Sequence, residues 1–271
     1  MKNLKDIIKI AAFDVDGTIL PNGYTTFSPN TKKMFELLKQ NNITTVISTA
    51  REFATIGDFL EQLKYVDYFI GANGSFIWDV KKQDFMFKAT LIKEEVVQLY
   101  ERFENQISAF SVTDFDTVYK SPTMQPTSWF AKPFAENYKD FNEAYLSRNN
   151  LYVITINCSN PKELSQLMAE YIQEHNLQME ISSYWSKGFF ISPIGITKSH
   201  TLQVLCDKLN LSMDNLIAFG DSSNDFEMLR DAVYGVAMQR ASSKLKAVAK
   251  DIALDCEYDG AYLKLKELGL I

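Results

Sequence analysis

The chain has 271 residues, 46% of them hydrophobic and 23% charged, which is the composition of an ordinary globular protein and argues against disorder. Its 28 Lys and Arg residues and 34 Asp and Glu residues leave a formal charge of −6. The positive residues form no concentrated basic stripe, so we expect no nucleic-acid partner. The apolar run at residues 7–13 is too short to span a bilayer and lacks a signal-peptide cleavage pattern, which predicts a cytoplasmic protein without a membrane partner.

The first part of the chain alternates predicted strands and helices. Ser28 and Pro29 form a typical helix start, because Ser caps the free N–H groups and Pro fits the first turn. Strand, helix, strand, helix, strand is the pattern of a doubly wound parallel sheet. The predicted elements are a strand at 7–13, a helix at 29–40, a strand at 43–47, a helix at 53–64 and a strand at 67–71.

After Gly74 the rhythm changes, and it returns with a helix at 197–209 and a strand at 215–219. We interpret the intervening segment as an inserted α+β module. The predicted α/β core therefore comprises residues 1–82 and 189–271, and the predicted cap comprises residues 83–188. The predicted elements between are strands at 75–79 and 85–90, a helix at 92–105, two strands around a turn at 113–114, a proline-bearing loop at 121–134, a helix at 135–147, a strand at 151–157, a helix starting at Pro161, and strands at 178–184 and 188–192.

Asp14 and Asp16 directly follow the first predicted strand, and Gly17 permits a sharp turn there. Ligands of open α/β sheets bind at this carboxyl edge. Two carboxylates so placed repel one another unless a cation neutralises them, which favours a metal site. A turn that is rich in Asp and Gly for structural reasons alone remains the alternative for this motif taken by itself.

A second acidic pair, Asp221 and Asp225, follows another predicted buried strand. Two acidic strand ends of one parallel sheet can converge on a single divalent cation. Magnesium prefers oxygen ligands and retains water, so carboxylates, a backbone carbonyl and phosphate suit it.

Two further clusters are candidate phosphate ligands. Ser48, Thr49 and the backbone of Ala50 supply hydroxyl and N–H donors at a third strand end. Lys198 lies in the first turn of a predicted helix, where the helix dipole opposes a positive charge, so a nearby anion would explain it. An exposed lysine and an ordinary strand end are the alternatives for each cluster taken alone.

Together the clusters resemble the motifs of the haloacid dehalogenase superfamily, and most closely those of its Cof-type phosphatases, which carry a type IIB cap between the second and third motifs. The matching segments are DVDGT at 14–18, STAR at 48–51, GITKSHTL at 195–202 and GDSSND at 220–225, with GANGSFI at 71–77, VAM at 236–238 and Asp259-Gly260 as further similarities. The resemblance spans both halves of the predicted core. The cap matches only in position and layout.

The resemblance implies a Rossmann-like core and Mg²⁺-dependent hydrolysis of a small phosphorylated metabolite, such as a sugar phosphate, through an aspartyl-phosphate. Asp14 would be the nucleophile, and Asp16 would protonate the leaving oxygen and then activate water. The metal would be held by Asp14, the backbone carbonyl of Asp16 and Asp221, with Asp225 in support. The implied phosphate ligands are the Val15 backbone, Thr49, Ala50, Lys198 and Asn224.

Two residues depart from the family pattern. Ala50 stands where the Cof-type pattern has Gly, so phosphate binding requires that the backbone there avoids the left-handed region. Arg240 stands where the family often has Asn, which could alter the surroundings of the acidic loop.

Three questions stay open at the level of sequence. A phosphomutase of the same superfamily would carry the same motifs, and a non-catalytic phosphoacceptor module would share the acidic residues and the lysine but lack the cap. The oligomeric state, monomer or small homo-oligomer, is not encoded in any motif. For substrate specificity, we expect Trp129 and Phe130 in the 121–134 loop, together with Arg51, to shape the pocket.

Overall fold

The computed structural model describes residues 4–271. The strands, in chain order, are β1 (Ile10–Phe13), β2 (Thr44–Ser48), β3 (Tyr68–Gly71), β4 (Phe76–Asp79), β5 (Asp84–Lys88), β6 (Ala109–Asp114), β7 (Thr117–Lys120), β8 (Tyr138–Asp140), β9 (Leu151–Asn157), β10 (Met179–Trp185), β11 (Gly188–Pro193), β12 (Leu216–Gly220), β13 (Tyr234–Met238) and β14 (Asp251–Ala253). The α-helices are α1 (Leu4–Ile7), α2 (Pro29–Gln40), α3 (Phe53–Ile56), α4 (Phe59–Leu63), α5 (Lys93–Phe103), α6 (Pro161–Glu174), α7 (Lys198–Lys208), α8 (Phe226–Asp231), α9 (Ser243–Val248) and α10 (Gly260–Glu267).

The larger sheet has eight strands in the order β14-β13-β12-β1-β2-β3-β4-β5. The six strands from β14 to β3 are parallel to their neighbours, and β4 and β5 add an antiparallel edge. From β1 the chain proceeds to β2 on one side, whereas β12 lies on the other side. This reversal creates the crevice in which open α/β sheets bind ligands. The predicted α/β class is confirmed.

Both faces of the larger sheet are covered, as its buried strands require. On one face Phe13 stacks on Phe219 at 5.1 Å between ring centroids and also contacts Phe35 of α2 at 5.2 Å. On the other face Ile10 and Ala12 share a buried cluster with residues of α7, α8 and α9. β1 is thus fixed from both sides, which leaves little freedom for the residues that follow it.

The second sheet has six strands in the order β10-β11-β9-β6-β7-β8 and shares a buried cluster with α5 and α6. This part of the structure contains most of the segment predicted as a cap and is called the cap below. The boundaries predicted at 83 and 188 each divide a hairpin of the structure. β5 pairs with β4 in the larger sheet, and β11 pairs with β9 and β10 in the cap sheet. Both strands belong to hairpins, so the chain crosses between the sheets only after the second strand of each hairpin.

Two predicted elements of the core are shorter than expected. The first strand begins at Ile10 rather than at residue 7, because the Ile8 amide donates to the Leu4 carbonyl at 2.8 Å and closes a helical turn instead. The helix predicted at 53–64 is divided into α3 and α4 at Gly57, whose φ is 54°. A Cβ at residue 57 would lie only 2.8 Å from the Phe134 ring, which is closer than side-chain atoms normally approach.

The helix predicted at 135–147 is wrong. The segment forms a 3₁₀ turn at Lys132–Asn137, the short strand β8 and a second 3₁₀ turn at Glu143–Tyr145. No residue of these three elements is buried, so a helix here would have had no apolar face to bury. β8 instead pairs with β7 at the edge of the cap sheet.

The cap contacts the core near the carboxyl ends of the parallel strands. Ser75 donates from Oγ to the Tyr152 carbonyl at 3.1 Å, and Asn137 donates from Nδ2 to the Ala54 carbonyl at 2.7 Å. On the opposite side Ser223 of the acidic loop donates to the Tyr184 carbonyl at 2.9 Å. The cap therefore lies over the edge at which the sequence places the candidate site.

Cys158, Cys206 and Cys256 are buried free thiols. Over residues 4–271 no helix is long and apolar enough to cross a membrane.

Candidate active site

The carboxyl ends of the neighbouring strands β1 and β12 bring two aspartates together. Asp14 follows β1, and Asp221 follows β12. Gly17 turns the chain out of β1 with a φ of +84°, and a Cβ at this position would lie 2.3 Å from Asp221 Oδ2. The glycine of the DVDGT motif is therefore required both by its backbone conformation and by the close approach of the second acidic loop.

Lys198 connects the two acidic clusters from the first residue of α7. Its Nζ donates at 2.7 Å to Asp14 Oδ1 and at 2.7 Å to Asp225 Oδ1, and the lysine is only 1% exposed. Thr18 donates to the other oxygen of Asp14 at 3.0 Å. The alternative of an exposed lysine is excluded, and the orientation of the Asp14 carboxylate is fixed from two sides.

Asp225 organises the loop that carries Asp221. Its Oδ2 accepts hydrogen bonds from the backbone N–H groups of Asp221 and Ser222, both at 3.0 Å, while Oδ1 accepts from Lys198. Both carboxylate oxygens are thus in use, and the side chain is fully buried. Through these contacts Asp225 positions both the loop and the lysine.

The donor atoms fit a divalent cation. Asp14, Asp221 and Asp225 each offer a carboxylate oxygen, and these oxygens lie within 4.8 Å of one another. Asp221 Oδ1 is buried without a hydrogen-bond partner in the described part of the chain. A buried carboxylate oxygen without a donor is costly, so a cation is the partner that its surroundings lack.

The pKa values of the ionisable groups agree with a site for a cation. Burial, together with the charges of Asp14 and Asp225, raises the pKa of Asp221 to about 8. Burial also raises the pKa of Asp225 to about 6, against the opposing effect of Lys198. Burial would favour the neutral amine of Lys198, but the carboxylates of Asp14 and Asp225 raise its pKa above the ordinary value. One lysine therefore faces more negative charge than it can balance.

Asp16 does not join the carboxylate cluster, because Arg51 holds it. Arg51 donates from Nε to Asp16 Oδ2 at 2.7 Å and from Nη2 to Oδ1 at 2.8 Å, while Nη1 donates to the Thr55 carbonyl at 2.6 Å. Burial raises the pKa of Asp16, and this effect outweighs the opposing effect of Arg51. A raised pKa suits a carboxyl group that must give up and take back a proton.

Arg51 is itself enclosed by aromatic rings from the core and the cap. Its guanidinium carbon lies 4.5 Å from the centre of the Phe130 ring, 5.0 Å from Phe59 and 5.6 Å from Phe134. These distances are typical of cation–π contacts. Phe130 of the predicted specificity loop therefore reaches the core through Arg51, whereas Trp129 is 46% exposed and packs edge-on against Phe130.

The predicted phosphate ligands surround the same edge. Thr49 is buried and its Oγ1 accepts from the Arg51 backbone N–H, Val15 is fully buried, and Ala50 is half-buried. Asn224 donates from Nδ2 to Asn73 Oδ1 at 2.9 Å. Asn73, in the GANGSFI segment, was not predicted as a site residue, and neither were Thr18, Phe59 or Phe134. Thr18 and Asn73 lie within the motifs of the family resemblance, but motif spacing does not predict their hydrogen-bond partners.

The two departures from the family pattern have simple structural consequences. Ala50 is not among the described residues with a positive φ, so a glycine is not needed there. Arg240 forms ion pairs with Asp255, at 3.3 Å, and with Glu257. These ion pairs connect Arg240 to the segment at 255–257.

The sequence profile of the haloacid dehalogenase-like hydrolase family matches residues 11–265, and the chain belongs to this family. The family match and the relatives described next identify the chain as a hydrolase of the haloacid dehalogenase phosphatase type. Among curated relatives, the 5-amino-6-(5-phospho-D-ribitylamino)uracil phosphatase YcsE of Bacillus subtilis (strain 168) is 26% identical over 244 residues, covering 89% of this chain and 88% of the relative. The pyridoxal phosphate phosphatase YbhA of Escherichia coli (strain K12) is 25% identical over 257 residues, covering 91% and 93%.

Solved structures show the same fold. The subclass IIB sugar phosphatase BT4131 superimposes with a TM-score of 0.82 at 21% identity, covering 97% of this chain and 100% of that chain. A haloacid dehalogenase-like hydrolase from B. subtilis gives a TM-score of 0.80 at 23% identity, covering 96% and 99%.

The acidic cluster predicts how stability depends on pH in the absence of metal. The raised pKa of Asp221 means that the folded chain binds this proton more tightly than the unfolded chain does. The resulting stabilisation is complete at low pH and is lost as the pH rises toward about 8. We therefore expect Asp221→Asn to reduce the loss of unfolding free energy between about pH 6 and about pH 8 by roughly 1–2 kcal/mol.

The measurement is urea or thermal unfolding in EDTA at both pH values. Asp251→Asn is the control, because Lys264 and Tyr234 hydrogen-bond to Asp251 and its pKa is lowered, so that its contribution is constant across this range. An identical pH dependence in wild type and Asp221→Asn would contradict the assignment.

Proposed function

We propose that the protein hydrolyses the phosphate monoester of a small metabolite, with Mg²⁺ as cofactor and an aspartyl-phosphate on Asp14 as intermediate. The observation that carries this proposal is the contact of Lys198 with both Asp14 and Asp225 beside the unpartnered Asp221 oxygen. A structural ion pair would need one carboxylate for one lysine. Here an excess of buried carboxylates lies at the ligand-binding edge of the sheet, as expected for a site completed by a cation and a phosphate.

Asp14 is the nucleophile in this proposal. Thr18 and Lys198 hold its carboxylate from two sides, so an oxygen can be presented to phosphorus without loss of orientation. Lys198 would also neutralise charge on the phosphoryl oxygens during transfer. Attack forms the Asp14–phosphorus bond and releases the alcohol, and water then cleaves the acyl phosphate to return the carboxylate and inorganic phosphate.

Asp14, Asp221 and the backbone carbonyl of Asp16 would hold Mg²⁺, with Asp225 supporting the loop. When bound, the ion supplies Lewis-acid stabilisation of the negative charge on the phosphoryl group. Asp16 would protonate the leaving oxygen and later take a proton from the attacking water. Its bidentate pair with Arg51 fixes where that carboxyl group lies.

The phosphate would be bound by Lys198, Asn224, Thr49 and the backbone N–H groups of Val15 and Ala50. These residues come from four different segments that meet at the carboxyl edge of the larger sheet. Such a set grips any phosphate monoester alike, so it does not select the rest of the substrate. Selection must come from the cap, which lies over this edge.

The activities for which the relatives are named support a small phosphorylated metabolite as the substrate class. They include phosphatases for a phosphoribitylaminouracil, for pyridoxal phosphate and for HMP-PP, at 24–26% identity. Similar levels of identity thus accompany different leaving groups. A phosphate-release screen over sugar phosphates, nucleotides, pyridoxal phosphate and flavin mononucleotide would identify the substrate. Hydrolysis of an aryl phosphate without a sugar bisphosphate would distinguish a phosphatase from a phosphomutase.

The nucleophile can be tested with Asp14→Asn. Asparagine keeps the shape but is a poor nucleophile, so we expect kcat to fall by about 10³-fold or more with the fold intact. The measurement is phosphate release together with circular dichroism. Asp116→Asn, in the exposed turn between β6 and β7, should retain full activity. Activity of Asp14→Asn within tenfold of wild type, roughly 1.4 kcal/mol, would exclude the assignment.

The metal can be tested by chelation. EDTA should abolish turnover and Mg²⁺ should restore it, whereas Ca²⁺ should restore it poorly because its looser coordination disturbs in-line attack. Mg²⁺ should also raise the melting temperature of the wild type but not of Asp221→Asn, which checks binding independently of activity. Full activity after exhaustive chelation would rule out this mechanism.

Substrate selection by the cap loop can be tested with Trp129→Ala and Phe130→Ala. Phe130 contacts Arg51 beside Asp16, so its loss should change the ranking of substrates by kcat/KM, by roughly tenfold or more for some pairs. Trp185→Ala is the control, because Trp185 packs against Phe190 within the cap. If kcat/KM changes by one common factor for all substrates, the loop does not select among them.

A further inference from the structure

The turn that joins β3 to β4 has an unusual backbone. Ala72 and Asn73 both adopt positive φ values, 49° and 57°, which side-chain-bearing residues rarely do. Gly74 follows with a φ of +107°, and a Cβ there would lie 2.5 Å from the Thr197 carbonyl oxygen. The turn is therefore pressed against the start of α7, which carries Lys198. Such conformations persist where surrounding contacts enforce them.

Asn73 links two of the proposed phosphate ligands. Its backbone N–H donates to the Thr49 carbonyl at 3.0 Å, and its Oδ1 accepts from Asn224 at 2.9 Å. The residue is 4% exposed. Its remaining polar atom, Nδ2, is buried without a partner in the described chain. A buried donor without an acceptor is destabilising, so a donor left open beside a ligand site suggests an acceptor supplied by the ligand.

Asn73 borders a small cavity between the core and the cap. The cavity, about 10 Å³, is also lined by Lys198 and Asn224 from the core and by Ser182 and Ser183 from β10 of the cap. That volume is on the order of the space for one oxygen atom or one water molecule. The residues that border it include one lysine and two asparagines, whose side chains carry N–H donors for an oxygen.

We propose that Asn73 is a further phosphate-binding residue, whose Nδ2 donates to an oxygen of the phosphoryl group beside Lys198 and Asn224. Its Oδ1 at the same time orients the Asn224 amide toward that group. This role rests on the phosphatase function proposed above. It assigns to the GANGSFI segment a task in ligand binding in addition to its tight packing.

The experiment measures binding of inorganic phosphate to the Mg²⁺-loaded full-length chain by thermal shift, and kcat and KM for an aryl phosphate. Asn73→Gly removes the amide but tolerates the backbone, and Asn73→Asp keeps the acceptor for Asn224 while removing the free donor. Both should weaken phosphate binding by about 10- to 100-fold, Asp the more because its charge repels phosphate. Asn210→Gly, at another left-handed and exposed asparagine, should bind phosphate like the wild type.

A double-mutant cycle separates direct contact from orientation of Asn224. If Asn73 contacts phosphate, Asn73→Gly weakens binding further in an Asn224→Ala background. No further loss there, or equal phosphate-induced shifts in wild type and both Asn73 variants, would overturn the proposal and leave the cavity to water. Absence of turnover by the wild type would refute the proposed phosphatase function, and phosphate binding would still decide the role of Asn73.

Discussion

The rest of the site depends on one electrostatic constraint, which is that three aspartates share a buried edge with a single lysine. Lys198 balances part of the charge of Asp14 and Asp225, and the backbone N–H groups of the acidic loop balance more. Asp221 remains without a positive partner among the described residues and has one oxygen without a donor. In a buried position this arrangement is unfavourable in itself. In the proposed function the same arrangement would favour a cation and then a phosphate, so that stability is lost where ligand affinity is gained.

The packing of β1 and β12 holds these charges together despite their repulsion. Phe13 and Phe219, the side chains just before the two acidic turns, stack on each other and on the helical layer. The charges can therefore not move apart to relieve their repulsion without breaking this packing. The close contact at Gly17 has the same effect, since the acidic loop lies where a side chain would otherwise be.

The sequence predicted those parts of the structure that follow from local rules. Asp14 and Asp221 lie together because parallel strands end at a common edge, and Ser28 caps α2 through its hydrogen bond to the Thr31 N–H. It did not predict contacts between residues that are far apart in the chain. The helix predicted at 53–64 is interrupted where Phe134 of the cap packs on Gly57. The segment predicted as a helix at 135–147 instead forms two 3₁₀ turns and β8, and no residue of these three elements is buried. Likewise, motif spacing does not reveal that Arg51 pairs with Asp16 rather than pointing toward a substrate.

That pair joins the chemistry of the core to the position of the cap. All three nitrogens of the Arg51 side chain donate within the core, while the face of the guanidinium lies against Phe130 and Phe134 of the cap. If the cap moves away, Arg51 loses two of its aromatic neighbours and becomes more exposed to water, which weakens its hold on Asp16. Asp16 is thus fixed most firmly when the cap covers the site. In the proposed function, a leaving group that fits beneath the cap would therefore meet a positioned acid, and a poorly fitting one would not.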